Sequence, residues 1–361
     1  MKLLDTIARK ALFTLDAERA HGLTIDALKS GMVPCRGGIR DARLKVSLAG
    51  LEFDNPVGLA AGFDKNGEVP DAMLKLGFGF TEIGTITPRA QTGNPKPRVF
   101  RLIEDEGIIN RLGFNNEGHQ AALRRLEARR SKGGIVGINI GANKDSEDFV
   151  ADYEKGIETF SHLASYFTVN ISSPNTPGLR NLQGAEALRL LLERIFETHS
   201  RQAHQPPVFL KLAPDLDENQ IDDIAGIINQ SALSAVMISN TTLSRKTVIG
   251  RENAAEAGGL SGSPVFERST IILAKFRQKV RKNIPLIGIG GVKNGETAWA
   301  KLEAGAALVQ LYSCMVYEGP NIARNICQGL VQRMEAERLK SLGDVSARKT
   351  DEWASRSLEN L

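Results

Sequence analysis

Between Tyr166 and Gly178 an apolar run gives way to a polar loop, Asn170-Ile171-Ser172-Ser173-Pro174-Asn175-Thr176-Pro177-Gly178. The aromatic and β-branched run before it, Tyr166-Phe167-Thr168-Val169, reads as a buried strand. Pro174, Pro177 and Gly178 stop that strand and forbid a helix, so the loop is stiff. Its asparagines, serines and threonine either build an Asx-type turn or hold a small polar ligand. For one loop alone the turn is the commoner meaning. Polar residues at the ends of other apolar runs change those odds: Ala61-Gly62-Phe63-Asp64-Lys65-Asn66, Gly84-Thr85, Asn139, Lys211, Ser239-Asn240-Thr241, Gly290-Gly291 and Tyr312-Ser313.

This set is rich in amides and holds two lysines, without a histidine or a cluster of carboxylates. Amides that both donate and accept suit the edge of a uracil-like or isoalloxazine ring. Lys211 places a cation where an electron-accepting ring becomes an anion on reduction; a structural ion pair is the plainer meaning of one such lysine. The string Gly288-Ile289-Gly290-Gly291, with Tyr312-Ser313 and with Gly262 before a helix start, offers backbone N–H groups to a phosphate. Flavin mononucleotide (FMN) fits that combination. Ser173 is the candidate base, a poor one in water that can still relay a proton in a closed polar site, with Thr176 a possible partner. No histidine stands near it, which speaks against a hydrolytic triad.

The elements that must position these residues repeat. Apolar runs at Val57–Gly62, Phe80–Ile86, Ile135–Ile140, Phe167–Ile171, Val208–Leu212, Ala235–Ser239, Leu286–Gly290 and Leu308–Tyr312 are candidate strands. Helical periodicity follows most of them, at Val69–Leu76, His119–Arg130, Phe149–Leu163, Ala185–His199, Glu218–Asn229, Val265–Arg281, Gly295–Ala304 and Ile322–Leu339. Strands apolar on both faces, alternating with helices, predict an α/β protein with a parallel (β/α)8 TIM barrel at residues 51–340. An open doubly wound sheet is the alternative, but Gly62-Phe63-Asp64-Lys65 is not its glycine-rich turn. The polar residues above all fall at carboxyl ends of strands, where such barrels carry their sites. Two long connections, Thr87–Asn116 and Thr241–Gly262, leave the same ends and should cover one mouth.

Residues 1–30 read as an N-terminal extension of two amphipathic helices. Leu3, Leu4, Ile7, Ala8, Ala11, Leu12 and Leu15 share one face of the first. Asp16 caps the second, whose apolar face is Ala20, Leu23, Ala27 and Leu28. Such a pair either packs on the domain or lies apolar face down on a membrane surface. Residues 31–50 read as a linker and 341–361 as a loosely held polar tail. No apolar run is long enough to span a bilayer, and a signal peptide is not indicated. The net charge of +4 on 361 residues is too small and too dispersed to argue for nucleic acid. The unclustered Cys35, Cys314 and Cys327 argue against disulfides or zinc.

Six strings in order carry a resemblance. They are Ala60-Ala61-Gly62-Phe63-Asp64-Lys65-Asn66, Asn110-Arg111-Leu112-Gly113-Phe114-Asn115, Asn170-Ile171-Ser172-Ser173-Pro174-Asn175-Thr176, Ser239-Asn240-Thr241-Thr242, Gly259-Leu260-Ser261-Gly262 and Gly288-Ile289-Gly290-Gly291-Val292. Together, over roughly residues 1–335, the chain resembles the class 2, quinone-dependent dihydroorotate dehydrogenases. The resemblance implies FMN-dependent oxidation of dihydroorotate to orotate in pyrimidine biosynthesis, with a ubiquinone-type acceptor. It also implies peripheral attachment to the cytoplasmic side of the inner membrane. Carried over residue by residue, FMN falls to Ala61, Gly62, Phe63, Asp64, Lys65, Thr85, Asn139, Asn170, Lys211, Ser239, Gly262, Gly291, Tyr312 and Ser313. Substrate falls to Lys65, Asn110, Arg111, Leu112, Gly113, Phe114, Asn170, Asn175, Asn240 and Thr241. Ser173 becomes the base for the C5 proton, and Lys65 reaches the substrate carboxylate. The helical extension becomes the quinone tunnel, with His21 and Arg101 near the quinone head. The family's soluble branch has cysteine where this chain has Ser173.

Three other readings stand beside that one. Another FMN barrel acting on a dihydropyrimidine-like ring would be expected to place a cysteine at Ser173. An isomerase or aldolase would use Lys211 as a Schiff-base lysine. A silent binding protein on the same barrel is permitted by the fold alone.

Overall fold

The computed structural model describes residues 11–361. The expected first-helix face at Leu3, Leu4, Ile7 and Ala8 lies outside them. In chain order the strands are β1 (Val46–Leu48), β2 (Leu51–Phe53), β3 (Val57–Leu59), β4 (Phe80–Ile86), β5 (Val99–Leu102), β6 (Gly107–Asn110) and β7 (Ile135–Ile140). They continue as β8 (Tyr166–Asn170), β9 (Val208–Leu212), β10 (Ala235–Ile238), β11 (Gly259–Gly262), β12 (Leu286–Ile289) and β13 (Ala306–Leu311). The helices are α1 (Ala17–Lys29), α2 (Pro70–Lys75), α3 (Gly118–Ala128), α4 (Phe149–Phe160), α5 (Ala185–Ser200) and α6 (Glu218–Gln230). After these come α7 (Phe266–Lys279), α8 (Gly295–Glu303), α9 (Ser313–Glu318), α10 (Ile322–Ala336) and α11 (Thr350–Ala354).

Eight parallel strands close into a barrel in the order β3-β4-β7-β8-β9-β10-β12-β13, with β13 pairing back onto β3 through Val309 opposite Val57. This is the expected fold. Its strands are buried along nearly their whole length because helices cover the outside and packed side chains fill the inside. The outer core is aliphatic, for example Ile221, Ile224 and Ile228 of α6 and Leu188, Leu191 and Ile195 of α5. The amino end of the barrel is filled by Phe53, Phe80, Tyr166, Phe209, Ala235, Met237 and Leu308. Phe53 packs edge-on against Phe80 at 5.0 Å between centroids.

Phe53 belongs to a hairpin that corrects the linker boundary. β1 and β2 pair antiparallel across Ala49-Gly50, both at positive φ, the geometry of a tight two-residue turn. The hairpin closes the bottom of the barrel, so the linker ends near residue 45 rather than 50. The two long connections do meet over one mouth. β5 and β6 come from the first, β11 from the second, and β11 pairs antiparallel with β6 through Gly259 opposite Asn110.

The extension packs on this mouth. Asp16 caps α1 by accepting from Glu18 N–H at 3.1 Å and Arg19 N–H at 3.0 Å. Ala20, Ile25 and Leu28 are buried, while Leu23, expected on the apolar face, is 47% exposed. Glu18 of α1 and the buried Arg98 form a bidentate ion pair at 2.6 and 3.0 Å, and Arg98 also donates to the carbonyls of Thr92 and Asn94. A buried, bidentate arginine pair has the geometry in which such interactions are strongest.

The C-terminal segment is not the loosely held tail the composition suggested. Trp353 of α11 is buried edge-on against Phe266 of α7 at 6.1 Å, with the Arg356 guanidinium over its ring, 3.8 Å from the centroid. The Leu361 carbonyl accepts from Arg268 at 2.6 Å and Ser244 at 2.8 Å. The anchoring apolar residues (Leu342, Val345, Trp353) are too sparse to form a periodic run, which is why the sequence pattern missed them.

Candidate active site

The interior of the barrel changes character above the aromatic floor. Glu82, on β4 and wholly buried, accepts four hydrogen bonds. Asn139 Nδ2 reaches Oε1 at 2.7 Å, while Tyr166 Oη, Thr168 Oγ1 and Gln310 Nε2 each reach Oε2 at 3.0 Å. Burying an unpaired carboxylate costs several kcal/mol. Four bonds to a charged acceptor, each worth about 1.5–3 kcal/mol, offset that cost. Gln310 Oε1 is left without a partner among the described residues, so that amide has turned its donor to the carboxylate at the expense of its acceptor.

The carboxylate only accepts, and this sets a direction for everything above it. Asn139 gives Nδ2 to Glu82, so its Oδ1 faces up and takes the Thr85 hydroxyl at 2.6 Å. With its hydrogen spent, Thr85 Oγ1 accepts Asn170 Nδ2 at 2.9 Å. Asn170 Oδ1 then accepts Ser172 Oγ at 2.8 Å, and Asn240 Nδ2 donates to Ser172 Oγ at 2.8 Å. Asn240 Oδ1 takes the Thr241 N–H at 2.7 Å. Each amide oxygen in the chain is engaged by the protein, and of the amides that line the cavity Asn170 keeps one N–H free of any acceptor among the described residues. The surface so formed favours a ligand with carbonyl oxygens along its edge.

A single cavity of about 1040 Å³ opens above this network. It is lined by Ala61, Gly62, Phe63, Lys65, Thr85, Asn110, Leu112, Gly113, Phe114, Asn170, Ser173, Asn175, Lys211, Ser239, Asn240, Thr241, Gly262, Gly291, Tyr312 and Ser313. His21 and Arg101 line its outer part. Three of the expected residues do not line it. Asp64 is buried beside it, accepting from the N–H groups of Glu68 at 2.7 Å and Val69 at 2.8 Å and so fixing the loop that carries Lys65. Asn139 lies one layer beneath. Arg111 turns outward, paired with Glu256 at 2.6 Å and stacked 4.5 Å from the Phe100 ring, where it ties the three-stranded sheet together.

Two cations face the cavity without protein counter-ions. Lys211 sits beside Asn170 in the β8–β9 register and has no hydrogen-bond or ion-pair partner among the described residues. Burial lowers its pKa, a shift that the charge of Glu82 opposes. Lys65 is likewise unpartnered among the described residues, and burial pulls it down to about 8. Thr241 Oγ1 is buried without a partner among the described residues. Ser173 is buried, and its Oγ accepts the Asn175 N–H at 3.2 Å. Asn175 Nδ2 in turn reaches the Asn110 carbonyl at 3.2 Å, joining the Ser173 loop to β6. Arg180 joins it to the loop after β10: it donates to the Ser172 carbonyl at 3.0 Å and the Thr241 carbonyl at 3.1 Å, and pairs with Asp215 at 3.0 Å.

The outer part of the cavity is different. Ala11, Leu12, Leu15, Leu23, Ala27, Met32 and Val33 line it, and Leu23 and Met32 are largely exposed at its rim. His21 packs edge-on against Phe63 at 5.1 Å, and burial drops its pKa to about 3, so it is neutral at ordinary pH. Arg101 donates to the carbonyls of Leu15 at 2.8 Å and Phe13 at 3.3 Å, with its guanidinium 4.9 Å over the Phe13 ring.

Glu82, Gln310 and Arg180 escaped the sequence reading. Glu82 is the second polar residue of the run Phe80–Ile86, and a charged residue amid a barrel strand was the available signal. Gln310 stands likewise within Ala306–Leu311. Arg180 follows the conspicuous loop by two residues and could have been found by extending it.

Comparison with known proteins gives one family. The family model described as dihydroorotate dehydrogenase matches residues 43–334. The chain is 56% identical over 360 residues to the dihydroorotate dehydrogenase (quinone) of Brucella melitensis, covering 99% of both chains, and equally to that of Brucella ovis. Among solved structures it is similar to DHODH from Eimeria tenella in complex with ferulenol, at 35% identity and a TM-score of 0.88, covering 92% of this chain and 95% of that one. The ligand-free form of the same protein superposes with a TM-score of 0.89, again at 35% identity, over 92% of this chain and 99% of that one.

Replacing Glu82 with Gln tests the network. An amide cannot accept from four donors, so at least one buried donor loses its partner. Glu82→Gln should lower the unfolding free energy by about 2–4 kcal/mol in urea titration. An unchanged midpoint would mean that the carboxylate does not organise the layer.

Proposed function

We infer that this chain, which belongs to the dihydroorotate dehydrogenase family, oxidises dihydroorotate to orotate and passes the electrons to a quinone, a step of pyrimidine biosynthesis. The observation that carries this reading is a single cavity with two unlike ends. The inner end offers amide donors and two unpaired ammonium groups, which suits a pyrimidine dione with a carboxylate. The outer end is apolar and held open by α1, which suits a hydrophobic quinone.

The residues fit flavin mononucleotide. A Cβ on Gly262, at φ +91°, would stand 2.2 Å from the Glu106 carbonyl oxygen, and one on Gly291, at φ +70°, would stand 2.4 Å from Phe266 Cβ. Glycine is thus required at both positions, and both line the cavity, where their backbone would offer N–H groups to a phosphate. Lys211 supplies a buried positive charge with no hydrogen-bond or ion-pair partner among the described residues. FMN would be held by Ala61–Lys65, Thr85, Asn139, Asn170, Lys211, Ser239, Gly262, Gly291, Tyr312 and Ser313; Asn139 would act from beneath through Thr85 and Asp64 by fixing its loop. When bound, FMN supplies the acceptor for the C6 hydride of dihydroorotate and the route of both electrons to the quinone.

The protein's own contribution is positioning and proton transfer. Lys65 pairs with the substrate carboxylate, while Asn170, Asn175, Asn240 and Thr241, with the backbone of Asn110–Phe114, hold the ring. Ser173 Oγ takes the C5 proton. Its developing negative charge is stabilised by the Asn175 N–H already directed at it, as a hydrogen bond to the charged form favours that form. As Ser173 takes the C5 proton its own hydroxyl proton must leave, and Thr176, whose hydroxyl is buried with no partner among the described residues, is the candidate relay that would take that proton while passing on its own. Neutral His21 and the carbonyl-bound Arg101 present polar groups to a quinone head in an otherwise apolar channel.

No helix among the described residues is long and apolar enough to cross a membrane. In this reading the mouth of the channel rests on a membrane surface, on the cytoplasmic side of the inner membrane, and the exposed Leu23 and Met32 at its rim support that contact. Quinone then reaches the cavity from the lipid.

The reaction itself is tested by adding dihydroorotate with a ubiquinone analogue, fumarate or NAD. Turnover should require the quinone, and equal rates with NAD would refute the assignment. Ser173→Ala should slow flavin reduction in a single turnover by about 10²–10⁴-fold while leaving the flavin bound; reduction at the wild-type rate would remove the serine from the mechanism. The pH profile tests Lys65. Its ammonium, with a pKa of about 8 in the free protein, binds the carboxylate below that pH and is lost above it. So kcat/KM should fall by about tenfold per pH unit above about 8, and Lys65→Arg should remove that limb.

A further inference from the structure

Outside the cavity, one buried cation takes no part in the scheme above. Lys301 on α8 is fully buried, and no carboxylate among the described residues pairs with it. Its Nζ donates to Ser269 Oγ at 2.6 Å and to the Phe266 carbonyl at 3.4 Å, and lies 5.2 Å from the centre of the Phe266 ring. Burial without a compensating anion pushes its pKa well below the usual lysine range. Lysines are among the residues least often found fully buried unless paired, so the protein alone gives this one little reason to be where it is.

Its partners lead to the Gly290-Gly291 turn. Because Ser269 Oγ accepts from Lys301, its own hydrogen must go to a carbonyl. The two in reach are Phe266 at 3.0 Å and Gly290 at 3.4 Å. Gly290 C=O and Gly291 N–H share one trans peptide plane and point in opposite directions. Holding the Gly290 oxygen toward Ser269 turns the Gly291 N–H the other way, and both glycines line the cavity. That N–H has no partner among the described residues. The start of α7 closes the same corner, since a Cβ on Gly291 would lie 2.7 Å from Phe266 Cα and 3.0 Å from its N.

We propose that Lys301 is a positioning residue for the phosphate of the bound nucleotide, acting through Ser269 to aim the Gly291 N–H and placing its positive charge behind that turn. The proposal rests on the flavin mononucleotide reading of the cavity. It explains a buried ammonium by an anion that the protein does not itself contain, since a nearby opposite charge favours the charged form.

The test compares two flavins that differ only in the phosphate. The full chain, stripped of flavin, is titrated with FMN and with riboflavin, as wild type and as Lys301→Met, which keeps an unbranched stem. FMN affinity should fall by about tenfold or more while riboflavin affinity changes by less than about twofold. Equal weakening of both, or of neither, would overturn the proposal and leave Lys301 a packing residue. Should wild type bind neither flavin, the flavin reading fails and the proposal with it. Ser269→Ala breaks the same link without disturbing a buried charge and should show the same selective loss. It decides the matter if Lys301→Met does not fold.

Discussion

A carboxylate buried at the centre of a barrel must be surrounded by donors, and this constraint organises the inner half of the molecule. Glu82 takes donors from β7, β8 and β13. Because it accepts and never donates while ionised, the orientation of Asn139 is no longer free. Neither is that of Thr85 above it, nor of Asn170 above that. An amide alone could face either way at little cost. A chain of amides and hydroxyls ending on a carboxylate has one direction, and reversing any member sets two acceptors or two donors against each other. The polar surface presented to a ligand is thus decided a full layer below the ligand.

The two halves of the cavity are kept distinct by different means. The inner half keeps its charges positive: Lys65 and Lys211 face in, while Glu82 and Asp64 are consumed by donors from the protein. The outer half removes charge. His21 is held neutral by burial, and the donors of Arg101 are taken up by carbonyls near the start of the described chain. What joins the halves mechanically is the Glu18–Arg98 pair, which fixes α1 to the loop carrying Thr92 and Asn94. Asn94 then donates to the Arg111 carbonyl at 2.9 Å. A helix that would otherwise expose its apolar face is held as one wall of the channel.

Much of this was legible in the sequence because a parallel barrel writes itself in a simple code. Each strand is an apolar run, each carboxyl end is where polar residues gather, and the cavity-lining set follows from reading those ends in order. The residues that do not face the cavity share a cause. Asp64, Asn139 and Arg111 stand in the right strings, but whether a side chain faces ligand, floor or solvent depends on neighbours from other strands, such as Glu82 for Asn139 and Glu256 for Arg111. Glu82 and Lys301 were invisible as functional residues because a single charge inside an apolar or helical pattern carries no sign of its partners. The β1–β2 plug and the α11 anchor were missed because each relies on one or two aromatic residues, Phe53 and Trp353, and not on a periodic face.

Ser173, the base proposed above, is a weak one, and a weak base suits the same arrangement of charge. A site that must bind an anionic substrate and stabilise negative charge on reduction has to stay positive inside. A carboxylate base facing Lys65 or Lys211 would neutralise one of them and repel the substrate. A histidine in so buried a place would be held neutral, as His21 is, but on accepting the proton it would become a third buried cation. A hydroxyl adds no charge at rest and is small enough to be covered by a stiff loop. Its weakness is met by enclosure and by the Asn175 N–H directed at its oxygen. The prolines on either side of Asn175, the Asn175–Asn110 contact and the Arg180 tie to the Thr241 loop then serve one end: a weak base works only where its oxygen is held still against the bond it must break.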